Sequence, residues 1–460
     1  MQTVYFQELK YYSKSKILEE IKNDEKAFDK LLKHAIISKD EDLYQFKFVG
    51  VIIIDNLVVN CYPKYIPSDI NPENDFKQVI KVIKKYNNLY DDLDYQNENL
   101  EDISFNLLSM MIFFLEDYYE NGLYSNIQNI LEINGNGEID WNRTINYSDP
   151  ILKDNKTYYV ELYTKYKIND LFDYFRLLHE YIITRCSKKL ECVGLLELFD
   201  LTPVELSDKT QDDFGELDVI LENLEKELHV EFNTHKQKLL KSMHTFLAEE
   251  NSFSNENYLT VYGTSTYHVI WEEVCSKVFR NKLFKPLKEL NLNSTSPNSI
   301  MDTIKKPKWI LSSGKYHNAP KSFEPDIVTF EKDTFYILDA KYYKLKFDEN
   351  VLEGQPGLSD ITKQYLYQLA LEDFRIKYGF KNVKNALLFP KYNSEIENKG
   401  HVEIEILHGL GLENIQIIML PVGDLNQRYL ENRKLSISFL PYVSAISVST
   451  AERLSSVPCQ

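Results

Sequence analysis

Residues 323–344 read FEPDIVTFEKDTFYILDAKYYK, and this stretch decides the fold of the second half of the chain. Pro325-Asp326 opens an apolar run, a position where a strand tolerates proline. Glu331-Lys332-Asp333 is a polar turn, and Phe335-Tyr336-Ile337-Leu338 runs directly into Asp339-Ala340-Lys341. Side chains alternate along a strand, so Asp339 and Lys341 share one face and Ala340 takes the other. A hairpin closed over 331–333 sets Asp326 about opposite Leu338–Asp339, and the two carboxylates then converge on one point.

Two carboxylates with open water positions suit a hard, oxygen-loving cation such as Mg²⁺, with Mn²⁺ as an alternative. Such a metal generates hydroxide from water and polarises a phosphoryl oxygen. The metal ligands expected are Asp326 and Asp339, with the Ala340 carbonyl assisting. Lys341 orients the attacking water or neutralises charge building on the phosphate. A D-x-K triplet alone is no signal. On this stretch alone, two acids and a lysine paired at a strand end read equally well as a purely structural ion pair.

Flanking segments bear on that choice. Upstream, Tyr267-His268-Val269-Ile270-Trp271-Glu272-Glu273 lies on an expected helix over 264–280, where Glu272 follows an apolar stripe and can join the site. The other reading is an exposed helical Glu, and Glu273 fits that description better. Downstream, a helix expected over 359–378 carries Gln364 and Gln368, four apart and on one face. A Gln amide near a metal holds a water or a phosphate; the other reading is a polar edge of an amphipathic helix.

Further strands are expected at 307–313, 323–330, 333–343, 383–389, 401–408 and 415–422. Helix, strands, helix, strand implies an α/β core. Toward the N-terminus, 45–65 reads as a hairpin turning at Asp55-Asn56 and ended by Pro63. Helical spacing marks 74–90, 99–121 and 168–186. Asn134-Gly135-Asn136-Gly137 is a turn; it lacks the leading Asp and closing Glu of a calcium loop. Residues 199–216 are acidic and loop-like. Leu217, Leu221, Leu224 and Leu228 then predict one long helix over about 217–249. The segments expected are 1–215, a mixed α/β N-terminal part; 216–257, connecting helix and linker; 258–440, the part that carries Asp326, Asp339 and Lys341; and 441–460, a tail.

The chain has 460 residues and a formal net charge of −17, which argues against coating nucleic acid by overall charge. Between Lys305 and Lys346, however, nine Lys face five acidic residues. That is a phosphate-facing strip or a solvated surface. Five scattered Cys form no C-x-x-C pair and fit a reducing cytoplasm. The first residues, MQTVYFQELKYYSKS, lack the apolar core of a signal peptide, and no apolar run is long enough for a membrane span. There is no G-x-x-x-x-G-K-[ST] phosphate loop, so nucleotide hydrolysis by that route is not expected.

Taken in order, Glu272, Pro325-Asp326, Asp339-Ala340-Lys341 and Gln364 (Gln368 less closely) resemble the PD-(D/E)xK nuclease superfamily. Phe48-Val49-Gly50-Val51-Ile52 through Pro63-Lys64-Tyr65 looks like the opening of McrC-like subunits. The run from Asn134 through Trp141, Arg143 and Thr144, and Lys363-Gln364 with Tyr367, look like the LlaJI-type restriction endonuclease family. The resemblance spans roughly 45–390. It implies a restriction-endonuclease-like core, a mixed central sheet flanked by helices. It also implies Mg²⁺-dependent cleavage of double-stranded DNA in antiviral defence, a separate McrB-like AAA+ GTPase partner, and self-association for double-strand cleavage. Asp339 stands where Glu is commoner, which shortens reach without changing ligand type. Two other readings remain open: a catalytically degenerate adaptor docked on an AAA+ ring, and a transposon or repair nuclease with the same core.

Overall fold

A computed structural model describes residues 2–54, 57–90, 107–170, 172–252, 259–392 and 395–442. The chain divides into two compact units. One holds residues 1–3, 52–58 and 100–262; the other holds 4–51, 59–99 and 263–460. Neither unit is one continuous segment, in contrast to the successive segments expected from the sequence, because compactness follows contacts rather than chain order.

The first unit is helical with a small antiparallel sheet. Ile127–Ile133 pairs with Tyr163–Asn169 along its whole length, and Glu138–Ile139 adds to the far edge. The turn at Asn134–Gly137 forms as expected: Asn134 has φ +56°, and a Cβ on Gly137 would sit 2.4 Å from the Lys165 carbonyl oxygen. Only glycine admits so close a backbone approach. Helices Leu107–Asn121, Tyr174–Cys192, Leu217–Val230 and Thr234–Ser252 bury Phe114, Ile182, Leu224 and Phe246.

The single long helix expected over 217–249 is two helices. Glu231 turns to extended backbone (φ −81°, ψ 132°), and its carboxylate accepts the N–H groups of Phe232 and Asn233 at 2.8 Å. Asn233 then caps the next helix by accepting from the Lys236 N–H at 3.1 Å. These local side-chain bonds offer the backbone an alternative to continuing the helix, and a heptad pattern does not reveal them.

The second unit carries the site. The elements around the site are α1 (Tyr267–Val278), β1 (Ile327–Glu331), β2 (Thr334–Ala340), α2 (Leu358–Ala370), β3 (Asn382–Lys391), β4 (Glu397–Val402), β5 (Ile415–Pro421) and α3 (Val422–Leu430). The five strands form one mixed sheet in the order β1-β2-β3-β5-β4. β1 and β2 are antiparallel, β2-β3 and β3-β5 parallel, and β4 returns antiparallel on the edge. The inner strands read as near-continuous buried runs, as a sheet covered on both faces requires. Phe335 and Ile337 of β2 pack with Tyr367 and Leu371, while Leu387 and Phe389 of β3 pack with Ile361 and Tyr365. The helix α2 therefore lies across the β2–β3 crossover and covers one sheet face.

Strands Val49–Ile54 and Leu57–Tyr62 are neighbours in a further sheet, while the Asp55-Asn56 turn lies outside the described residues. So do the 99–106 part of the expected 99–121 helix and most of the expected tail. The strand expected at 401–408 runs instead over 397–402 and gives way to a 3-10 helix at Glu405–Leu410. Among the described residues no helix is long and apolar enough to cross a membrane.

Candidate active site

The hairpin β1–β2 turns tightly at Lys332, which takes φ +54°. Its register pairs Ile327 with Leu338, so Asp326, one step before, stands opposite Asp339. The two acids stand at facing register positions, and the Asp339 charge acts on Asp326. Asp326 Oδ2 accepts the backbone N–H of Ala340 at 2.8 Å, and Asn281 holds the Asp326 backbone by donating to its carbonyl at 2.8 Å. Asp339 is 4% exposed. Lys341 Nζ lies 2.6 Å from Asp339 Oδ2 and 3.4 Å from Asp360 Oδ1 on α2. The Lys341 N–H donates to the Leu388 carbonyl, which extends the β2–β3 pairing one residue past β2.

Burial and mutual repulsion dominate the electrostatics. Burial, then the Asp339 charge, then Glu272 push Asp326 up to about 8, against the pull of the Ala340 N–H and Lys341. Burial raises Asp339 as well, although Lys341 opposes it. Glu272 on α1 is raised by burial and by Asp339, which places its charge within reach of the pair. Tyr367 on α2 is pushed up to about 12 by burial, with Asp339 and Asp326 adding to it. Burial disfavours the charge on Lys341, yet Asp339 and Asp360 hold it above its ordinary value. Lys341 is therefore a fixed cation and donor at neutral pH, not a base.

Gln364 is fully buried on α2. Its amide donates to the Ile337 carbonyl at 3.2 Å, the Asn385 side chain at 2.6 Å and the Ala386 carbonyl at 3.4 Å. Asn385 donates in turn to the Gln364 carbonyl and to Gln368 Oε1. Both glutamines thus face the sheet: the Gln364 NH2 group is engaged by β2 and β3, while its Oε1 is buried with no hydrogen-bond partner among the described residues. Glu273 is not an exposed helical Glu: its side chain is 12% exposed and pairs with Lys277 at 3.2 Å.

Sequence reading missed Asp360, Asn281 and Glu8. Asp360 lies one helical turn before Gln364, a spacing that would have placed both on one face. Glu8 comes from the other end of the chain: Tyr342, next to Lys341, donates its hydroxyl to Glu8 Oε2 at 2.5 Å. Lys64 sits 4.2 Å over the Tyr342 ring, and its backbone N–H donates to Glu8 at 3.2 Å. No local pattern announces that contact.

The donor chemistry fits a hard divalent cation. Two desolvated carboxylates face each other with a third nearby, and burial and repulsion hold Asp326 above its ordinary value, a cost that a bound cation would remove. Among the described residues no group of three His, Cys, Asp or Glu is arranged to hold a metal. This chain would supply two carboxylates and leave other positions to water, backbone or substrate, as Mg²⁺ sites commonly do.

Fold and site together define an α/β protein whose mixed sheet presents a buried acid pair and a lysine at one hairpin. The profile of the LlaJI restriction endonuclease family matches residues 48–422, and the chain belongs to that family. It is 31% identical over 421 residues to the type II restriction enzyme BsuMI component YdjA of Bacillus subtilis (strain 168), covering 88% of this chain and 85% of that one. Two solved structures are more distant. One is a chain of the refined half-complex of Thermococcus gammatolerans McrB AAA+ hexamers with bound McrC, at 12% identity and TM-score 0.37, covering 94% of this chain and 99% of that one. The other is a chain of the Thermococcus gammatolerans McrBC complex, at 11% identity and TM-score 0.25, covering 59% and 86%. Neither structural likeness is close enough to carry an inference.

Proposed function

We propose that this chain is the DNA-cutting subunit of a restriction system, with a PD-(D/E)xK core built on β1, β2 and β3. The observation that carries the reading is the β1–β2 register, which sets Asp326 opposite Asp339 with Lys341 2.6 Å from the latter. Family membership supports it. Asp326 and Asp339 would hold Mg²⁺ (or Mn²⁺), with the Ala340 carbonyl as a further ligand. When bound, the cation supplies Lewis acidity toward a phosphoryl oxygen and toward water. Lys341 positions the attacking water and neutralises charge that builds on the phosphate, because it stays protonated beside two carboxylates. Glu272 acts at the margin of the pair. Gln364 acts as a positioning residue: it holds the strand that carries Asp339.

The substrate is double-stranded DNA. The subunit works with a separate motor, a McrB-like AAA+ GTPase, and self-associates to cut both strands; the similarity to YdjA, a component of a restriction enzyme, supports a partner subunit. The direct test is DNA cleavage in Mg²⁺ by the full chain with its motor subunit, alongside Asp339→Ala and Lys341→Ala. Both variants should fold and not cut. Normal cutting by either would sink the assignment. Calorimetric titration with Mg²⁺ separates a working centre from a degenerate adaptor, since only the former shows binding that Asp326→Ala removes.

A further inference from the structure

Between Lys305 and Lys321 the chain carries five lysines and no Asp or Glu, in a protein of net charge −17. This stretch folds as a two-stranded ribbon, Lys308–Ile310 against Tyr316–Asn318, and every residue of both strands is exposed. Trp309 is 71% exposed, Ile310 72% and Tyr316 57%. Trp309 pairs with His317 and Ile310 with Tyr316, so both faces of the ribbon present rings or apolar surface. Lys308 lies 4.9 Å over the Tyr316 ring. At its base the Ala319 N–H donates to the Pro307 carbonyl at 2.7 Å, and Ile304, just before it, is buried in the core beneath β1 and β2. The ribbon is thus rooted at its base and covered by none of the described residues.

A two-stranded ribbon with both faces in water is marginal by itself, and an exposed apolar patch of this kind marks a binding surface. Its charge selects the partner. Duplex DNA presents a negative charge about every 1.7 Å of axis, and lysines that meet phosphates release counterions. The DNA major groove, about 12 Å wide, admits a two-stranded ribbon. We propose that the ribbon Lys308–Asn318 is a DNA-contacting element that enters the major groove. Lys308, Lys315 and Lys321 meet phosphates, and Trp309, His317 and Tyr316 pack against bases and sugars. Lys305 is left out of this set because Asp373 holds it at 2.7 Å. The inference rests on the nuclease reading for its substrate but on none of that reading's residues.

The test is fluorescence anisotropy of the full-length protein with mixed-sequence duplex DNA, in chelator so that nothing is cut, across a salt series. The triple variant Lys308→Ser/Lys315→Ser/Lys321→Ser should lower affinity about tenfold or more. It should also flatten the slope of log K against log salt by about 0.9 for each lost contact. Trp309→Ser should weaken binding while leaving that slope unchanged. Circular dichroism should match the parent in each case, since none of these side chains is buried. Equal affinity and slope for the triple variant would overturn the proposal. So would unchanged DNA binding with lost association to an AAA+ partner, which would make the ribbon a protein-docking surface. The two readings fail separately. If Asp339→Ala cuts DNA normally while the ribbon variants lose binding, the active-site assignment fails and the ribbon stands.

Discussion

Asp326 Oδ2 accepts the Ala340 N–H at 2.8 Å, which ties the start of one strand to the end of the next and holds two mutually repelling acids in place. The bond favours the Asp326 charge, against burial and the charges of Asp339 and Glu272, which oppose it. Both carboxylates are more costly to ionise here than in water, because burial removes their hydration before any cation restores the balance.

Neutralising one acid should therefore stabilise the metal-free protein. Asp326→Asn keeps an oxygen for the Ala340 N–H and removes the repulsion. Chemical denaturation without metal should show a gain of about 1–3 kcal/mol, alongside complete loss of cutting. A loss of stability would mean that the pair is not under electrostatic strain.

The same strain has a pH signature. Asp326 titrates at about 8 in the folded protein and near 3.9, the usual Asp value, in the unfolded chain. Between these values the folded state binds more protons, so stability falls as pH rises through that window. Mg²⁺, which requires ionised ligands, should bind more tightly as pH rises and release protons on binding. Thermal unfolding from acid to mildly alkaline pH, with and without Mg²⁺, checks this. The metal-induced stabilisation should grow with pH in the parent and vanish in Asp326→Asn.

Removing Lys341 has the opposite sign. Lys341→Met leaves Asp339 buried without its cation and should cost about 3 kcal/mol, whereas Asp339→Asn/Lys341→Met should recover most of that loss. Denaturation of the two single variants and the double closes the cycle. Additive losses would show that the 2.6 Å pair carries no coupling.

Gln364→Leu separates a sheet strut from a substrate contact. It strips a donor from the Ile337 carbonyl and from Asn385, and should cost about 1–3 kcal/mol. DNA affinity in chelator should stay unchanged. A large drop in DNA affinity at full stability would place Gln364 on substrate after all.

Much of the site was legible before the fold. Strand alternation put Asp339 and Lys341 on one face, and a polar turn over 331–333 put Asp326 about opposite Leu338–Asp339; the structure closes the turn on Lys332-Asp333, pairs Glu331 with Thr334, and so sets the register at Asp339. Both follow from backbone geometry over fewer than about 20 residues. The order of elements from α1 through β3 was likewise readable from periodicity. The break after Val230 was not, because it depends on where the Glu231 and Asn233 side chains find backbone partners.

What the sequence by itself determined is the Asp326–Asp339–Lys341 constellation, because its members lie along one hairpin whose pairing repeats every two residues. Only the tertiary structure decided how that constellation is held and charged. Asp360 joins Lys341, Gln364 turns inward to the sheet, and Glu8 reaches Tyr342 across most of the chain. Those contacts depend on how α2 packs against the sheet and on where the fold brings Glu8. Packing is set by burial summed over the whole unit, which no local pattern encodes.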